Sequence, residues 1–213
     1  MVRRQLRSPS YHQDAERIGL TLHEHLSRLA ADQPVGGHGL IALDWESGNR
    51  SVLVDTALSG TVVGMTLATR PEEVYRALIE ATAFGTRKIV ETFTASGIGV
   101  TEFVAAGGLL ANEFLMQVYA DVLRVPVDTC ASEQAPALGS AIHAAVAAGT
   151  YPDVRAASAA MGARSGVTYQ PDPAAADAYD RLYAEYERLH DYFGRGGNDV
   201  MHRLRALRKE ALS

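Results

Sequence analysis

The run Ala105-Ala106-Gly107-Gly108-Leu109-Leu110-Ala111-Asn112-Glu113 constrains this chain more than any other. An apolar, strand-like stretch, Phe103-Val104-Ala105-Ala106, leads into it. Phe114, Leu115, Met116, Val118, Tyr119, Val122 and Leu123 follow at helical spacing. Strand, double glycine and helix is the layout of a nucleotide or small-ligand site, because without Cβ atoms the backbone can approach a flat or charged ligand closely. Asn112 stands where a helix N-cap belongs, and its amide both donates and accepts hydrogen bonds. The same layout also serves merely to turn a chain, so the rest of the sequence has to decide.

With 213 residues, 47% of them apolar, the chain can bury the core of one α/β domain or of one domain with appendages. A net charge of -5 argues against bulk electrostatic binding to nucleic acid. Cys130 is the only cysteine, which excludes an intramolecular disulfide and a cysteine-rich metal site. No apolar run approaches the ~20 residues of a membrane helix, and no signal-peptide core follows the basic start, so the expectation is a cytoplasmic protein without membrane partners.

Along the chain, Ile18, Leu22, Leu26 and Leu29 predict one helix from Asp14 to about Asp32, with His23 and His25 two apart and solvated. Leu40–Leu43 reads as a buried strand, Val52–Val54 as a second short strand and Thr61–Leu67 as a further extended run, implying a hairpin-like pair. Thr69-Arg70-Pro71-Glu72 predicts a capping box with Thr69 as cap, opening a helix of roughly 25 residues, ~37 Å long. Gly85 in its middle suggests close approach to another backbone, since glycine there costs ~1 kcal/mol relative to alanine. Val125–Thr129 reads as a strand. The helix containing Ala137-Leu138-Gly139-Ser140-Ala141 is rich in small residues that suit tight packing on a sheet, with His143 as a partnered core or edge histidine. A short helix and an extended Val167–Tyr169 precede a strong helix opened by Asp172-Pro173, whose Tyr179, Leu182, Tyr186, Leu189 and Phe193 are packing residues. The tail carries Arg203, Arg205, Arg208 and Lys209 on a basic helix, read as a solvated end. Alternating short strands and helices predict an α/β domain with a mixed sheet flanked by helices.

Several motifs bear a family resemblance. Gly107-Gly108 with Asn112 and Leu115-Met116-Gln117 resembles the adenosine motif of the FGGY carbohydrate kinases. Leu58-Ser59-Gly60, Gly64-Met65-Thr66, Glu80-Ala81 with Phe84, and Ala137–Ala141 resemble other parts of that family's C-terminal domain. Leu43–Ser51, Leu189–Gly194 and Asn198–Leu204 look like the L-ribulokinase branch. The resemblance covers the chain from about Leu20 onward and implies an actin-like, ribonuclease-H-like ATPase domain. It divides the chain into an N-terminal extension (1–36), the ATP-binding domain (37–194) and a basic tail (195–213).

The resemblance further implies ATP with Mg²⁺ as cofactors. The Gly108 backbone and the Asn112 side chain would hold the adenosine end, Gly107 would let the loop approach, and Ala137–Ala141 would pack behind the site. It implies phosphorylation of a ketopentose in L-arabinose catabolism, but only with the family's first domain, which the chain is expected to lack. That domain carries the catalytic base, so no catalytic residue and no metal ligand is assigned here, and Asp44, Glu46 and Asp55 are not expected to act as the base. Phosphoryl transfer needs phosphate loops, metal and base to converge, and one lobe cannot supply them all. The alternatives are a nucleotide-binding or interaction module without turnover, or the corresponding domain of another pentulose kinase. The lobe face left without its partner could also support a homo-oligomer.

Overall fold

The computed structural model describes residues 9–132, 134–162 and 164–213. The described residues open with two helices, α1 (Pro9–Arg17) and α2 (Leu22–Ala31), where the apolar spacing predicted one from Asp14 to about Asp32. The break has a local cause. Gly19 turns at φ 72°, and Thr21 and Glu24 then form a reciprocal capping box that restarts the helix. That signature outweighs the Ile18–Leu22 spacing, and Ile18 is left exposed.

Strand β1 (Ile41–Leu43) pairs antiparallel with β2 (Thr61–Val63), Ile41 opposite Val63. Between them Val52–Val54 forms no strand. Asn49 and Asp55 exchange backbone hydrogen bonds, Asn49 Oδ1 accepts from the Leu53 N–H, and Val54 adopts φ 55°, so the segment closes as a loop. Helix α3 (Pro71–Ala95) is 25 residues long, as its pattern predicts. Its cap is displaced by one residue. Arg70 is the N-cap and its N–H is held by Glu73, while the Thr69 hydroxyl accepts from Thr66 N–H. Glu72 instead accepts a 2.6 Å hydrogen bond from Tyr11 of α1.

Strand β3 (Phe103–Ala105) leads through a 3₁₀ turn (Gly108–Ala111) into α4 (Glu113–Leu123). Strand β4 (Val127–Cys130) lies parallel to β3 and antiparallel to β5 (Arg164–Tyr169), giving the expected mixed sheet. Helices α5 (Ala135–Ala147) and α6 (Val154–Met161) separate β4 from β5. The small residues of α5 do not face the sheet. This helix packs on α6 and buries only Ile142, while Ala137, Ser140, Ala141 and His143 are exposed.

Helix α7 (Pro173–Gly194) is capped by Asp172, and α8 (Val200–Ala211) ends the chain. Helices α3 and α7 form the spine of the core. Phe84 meets Tyr179, Tyr183 and Tyr186 with ring centroids 5.4–6.2 Å apart, the separation at which edge and offset ring contacts add to burial. Arg87 reaches Asp180 at 2.6 Å and Lys88 reaches Glu187 at 2.5 Å along the seam. Two of the three segments singled out as branch-specific also meet. Trp45 packs edge-on to His190 at 5.5 Å, and a Cβ on Gly194 would fall 2.2 Å from the Leu53 side-chain tip, so a larger residue there has to displace that leucine.

Candidate nucleotide site

The parallel pairing of β3 with β4 aims the β3–α4 loop out of one end of the three-stranded sheet. Gly107 lies at φ 97°, a conformation that side chains with a Cβ disfavour. A Cβ on Gly107 or Gly108 would meet nothing within 4 Å, so the surface above the loop is open to a ligand. Gly107 is therefore needed by the backbone, whereas Gly108 leaves room. The loop closes through Leu110 N–H to Gly107 O and Asn112 N–H to Leu109 O.

Asn112 caps α4 as expected: its Oδ1 accepts from Leu115 N–H at 3.1 Å. Its Nδ2 is also occupied, donating to Ser27 Oγ of α2 at 2.9 Å, with Tyr75 OH of α3 at 3.5 Å. Ser27 and Tyr75 share a 3.0 Å hydrogen bond. This brace gives no sequence signal, because Ser27 lies 85 positions from Asn112. The structure thus brings Gly107, Gly108 and Asn112 together on one loop, while Ala137–Ala141 stands on the exposed face of α5.

Beneath the brace lies a buried polar network. Arg76 donates to Glu80 at 2.7 Å, to Tyr179 OH at 3.1 Å, and to the carbonyls of Ala30 and Gln33. Glu80 also meets His38 Nε2 at 3.0 Å. These bonds join α2 and the following loop to α3 and α7, fixing the platform from which Ser27 reaches Asn112.

The three carboxylates considered as bases lie elsewhere. Asp55 accepts from Ala57 N–H and from His202, which together hold its carboxyl below the usual range. Glu46 is exposed. Asp44 is half-buried, and burial pushes its pKa up to about 6, with Glu46 adding to the rise against the pull of its own backbone N–H. Among the described residues no three His, Cys, Asp or Glu side chains converge as metal ligands.

Residues 2–148 match the model of the FGGY family of carbohydrate kinases, C-terminal domain. The chain belongs to the FGGY family of carbohydrate kinases. It is 61% identical over 198 residues to a ribulokinase from Mycolicibacterium smegmatis, covering 93% of this chain and 35% of that protein. It is 51% identical over 209 residues to one from Anoxybacillus flavithermus, covering 95% and 37%. The chain therefore spans little more than a third of the length of these curated relatives. Among solved structures it resembles a xylulose kinase from Rhodospirillum rubrum, at 33% identity and TM-score 0.69, covering 79% of this chain and 33% of that one. A gluconate kinase from Lactobacillus acidophilus, 24% identical with TM-score 0.72 over 81% and 35% of the two chains, shares the fold. That fold is the actin-like ATPase fold of the FGGY kinases, which use ATP as phosphate donor. Among the described residues no helix is long and apolar enough to cross a membrane.

Proposed function

We propose that this chain is the nucleotide-binding lobe of a ribulokinase-like enzyme, which moves the γ-phosphoryl group of ATP, with Mg²⁺, to a hydroxyl of a ketopentose. The 61% identity to a ribulokinase across nearly the whole chain carries this reading. The open ledge at Gly107-Gly108 supports the placement of the adenosine end. The Gly108 backbone lines it, and Asn112 shapes it by capping α4 while bound to Ser27. Asn112 thus acts on the ligand through the position of the loop as well as through its own amide.

The base and the sugar contacts are assigned to the part of the relatives that this chain does not span. The chain alone binds nucleotide and does not turn over sugar. A positioned base and a preorganised charge clamp supply most of the acceleration in phosphoryl transfer, and a single lobe offers neither.

Calorimetry with ATP tests the assignment. Gly108→Val places a side chain in open space without forcing a left-handed residue, so the fold is kept and the ledge is blocked. Affinity is expected to drop about tenfold or more, roughly 1.4 kcal/mol, while Cys130→Ser leaves it unchanged. Equal ATP binding by Gly108→Val and the parent would remove the site from this loop. ADP release on mixing the chain with ATP, Mg²⁺ and L-ribulose would overturn the assignment of the base.

A further inference from the structure

The amide of Asn112 has a fixed direction, and its neighbours decide what it can read. Leu115 N–H is a donor, so the atom that meets it at 3.1 Å is the amide oxygen. The amide nitrogen therefore points the other way, to Ser27 Oγ of α2 at 2.9 Å, with Tyr75 OH of α3 at 3.5 Å. Ser27 Oγ and Tyr75 OH share a further hydrogen bond of 3.0 Å. The Tyr75 ring also leans on His23 of α2, with centroids 6.0 Å apart, which ties the phenol to that helix a second time.

A side-chain amide carries two N–H donors and two oxygen lone pairs. Here both donors face hydroxyl oxygens, and one lone pair takes the Leu115 N–H. The second lone pair of Oδ1 is what remains for a ligand. Asn112, Ser27 and Tyr75 are each half-buried, so the cluster is within reach of a bound molecule, and the exposed Leu109 adds apolar surface on the same loop.

An acceptor that cannot become a donor discriminates between bases. It accepts from an exocyclic amine, such as the 6-amino group of adenine, and opposes a carbonyl oxygen at the same place, as in hypoxanthine. Turning the amide over to greet a carbonyl would set Nδ2 against Leu115 N–H and forfeit the cap of α4. A site rejects a near-isostere most effectively when the wrong group leaves polar atoms facing their own kind.

We infer that Ser27 and Tyr75 are positioning residues that set base specificity: they hold the Asn112 amide as an acceptor, so the loop takes a nucleotide whose base carries an amino group and rejects its carbonyl counterpart. The inference rests on the nucleotide reading of the Gly107-Gly108 loop. It also gives α2 a part in the site, although the sequence set that helix apart as an extension.

Calorimetry of the full chain with ATP and with inosine triphosphate tests it, because the second base has a carbonyl where adenine has its amine. The parent is expected to prefer ATP by about tenfold or more. Ser27→Ala frees one N–H of the amide, and Ser27→Ala with Tyr75→Phe frees both. The preference is expected to shrink about threefold in the single variant and nearly to vanish in the double one, through tighter binding of inosine triphosphate. A merely structural brace predicts the reverse, an equal weakening of both nucleotides. The single variant keeps Tyr75 on His23, so it reads the effect even where the double variant does not fold. Ser27→Thr retains the hydroxyl and is expected to retain the parent's preference. Equal binding of the two nucleotides by the parent, or a parallel loss of both in Ser27→Ala, would overturn the inference and leave the nucleotide site standing. Binding of neither nucleotide by the parent would remove the site itself, and this inference with it.

Discussion

The N-terminal and middle parts of α3 treat buried polar groups in opposite ways. Around Arg76 and Glu80 the described hydrogen-bonding groups meet partners: His38, Tyr179, two backbone carbonyls and each other. Further along, at Gly85, the helix faces Tyr186 OH, which is as deeply buried but set only against the Trp45 indole N–H, beside an Asp44 whose burial favours its protonated form. The first arrangement is a joint that holds α2, α3 and α7 together. The second is a looser contact, in which a phenol and an indole are left to each other beside a carboxyl that burial disfavours in its charged form.

The sharpest way to break this contrast is to cut the joint. Arg76→Met leaves Glu80 buried without its cation and the Gln33 carbonyl without the guanidinium that reaches it, while the Ala30 carbonyl still accepts from the Gln33 N–H. The expected loss is about 3–5 kcal/mol in urea unfolding. Adding Glu80→Gln should recover part of that, because the stranded charge is then gone. A loss below about 1 kcal/mol would mean that the network is not a joint.

The Gly85 side predicts a pH signature in place of a fixed loss. Folded Asp44 keeps its proton up to about pH 6, whereas the unfolded group releases it near 3.8. In that window the folded state binds more protons, so this group's contribution to stability falls as pH rises, and the penalty is complete above about pH 6. Asp44→Asn should therefore match the parent near pH 4 and exceed it by up to about 2–3 kcal/mol at neutral pH, since each tenfold change in proton affinity on folding is worth about 1.4 kcal/mol. Denaturant titrations of the two proteins across pH 4–8 decide it. A difference that does not grow with pH would place Asp44 in a solvated setting.

Much of the architecture was legible because its signals are local. The strand, glycine pair and Asn112 cap lie within one short run, and Tyr179, Tyr186 and Phe84 keep the helical period of buried faces. Errors arose where a second local signal competed. Thr21-x-x-Glu24 split the first helix, and Asn49 drew Val52–Val54 into a loop despite their strand preference. The small residues of α5 were compatible with a sheet contact, but which surface a helix meets is set by its neighbours in space, and α6 lies there. The Ser27–Asn112–Tyr75 brace and the Asp44–Gly85–Tyr186 cluster join positions far apart in the chain. Neither has a spacing to recognise, and the fold alone brings them together.

Asn112→Ala tests the brace at smaller scale. It removes the cap of α4, worth about 1 kcal/mol, yet Ser27 and Tyr75 keep each other as partners, so no buried group is stranded. The expected loss in urea unfolding is about 1 kcal/mol. A loss above about 3 kcal/mol would show that the brace carries the platform, and the nucleotide loop with it.

The smallest expected effect separates the two regions most cleanly, because Tyr179 and Tyr186 share helix α7 and are both buried in the same aromatic cluster. They differ in what the hydroxyl meets. Tyr179 OH accepts from Arg76 at 3.1 Å, so Tyr179→Phe removes a hydrogen bond to a charged group and should cost about 1.5–3 kcal/mol. Tyr186 OH has only the neutral Trp45 indole N–H as its polar neighbour, so Tyr186→Phe should cost less, within about 1 kcal/mol of the parent. Equal losses for the two variants in the same denaturant series would mean that Tyr186 is held by the fold as firmly as Tyr179.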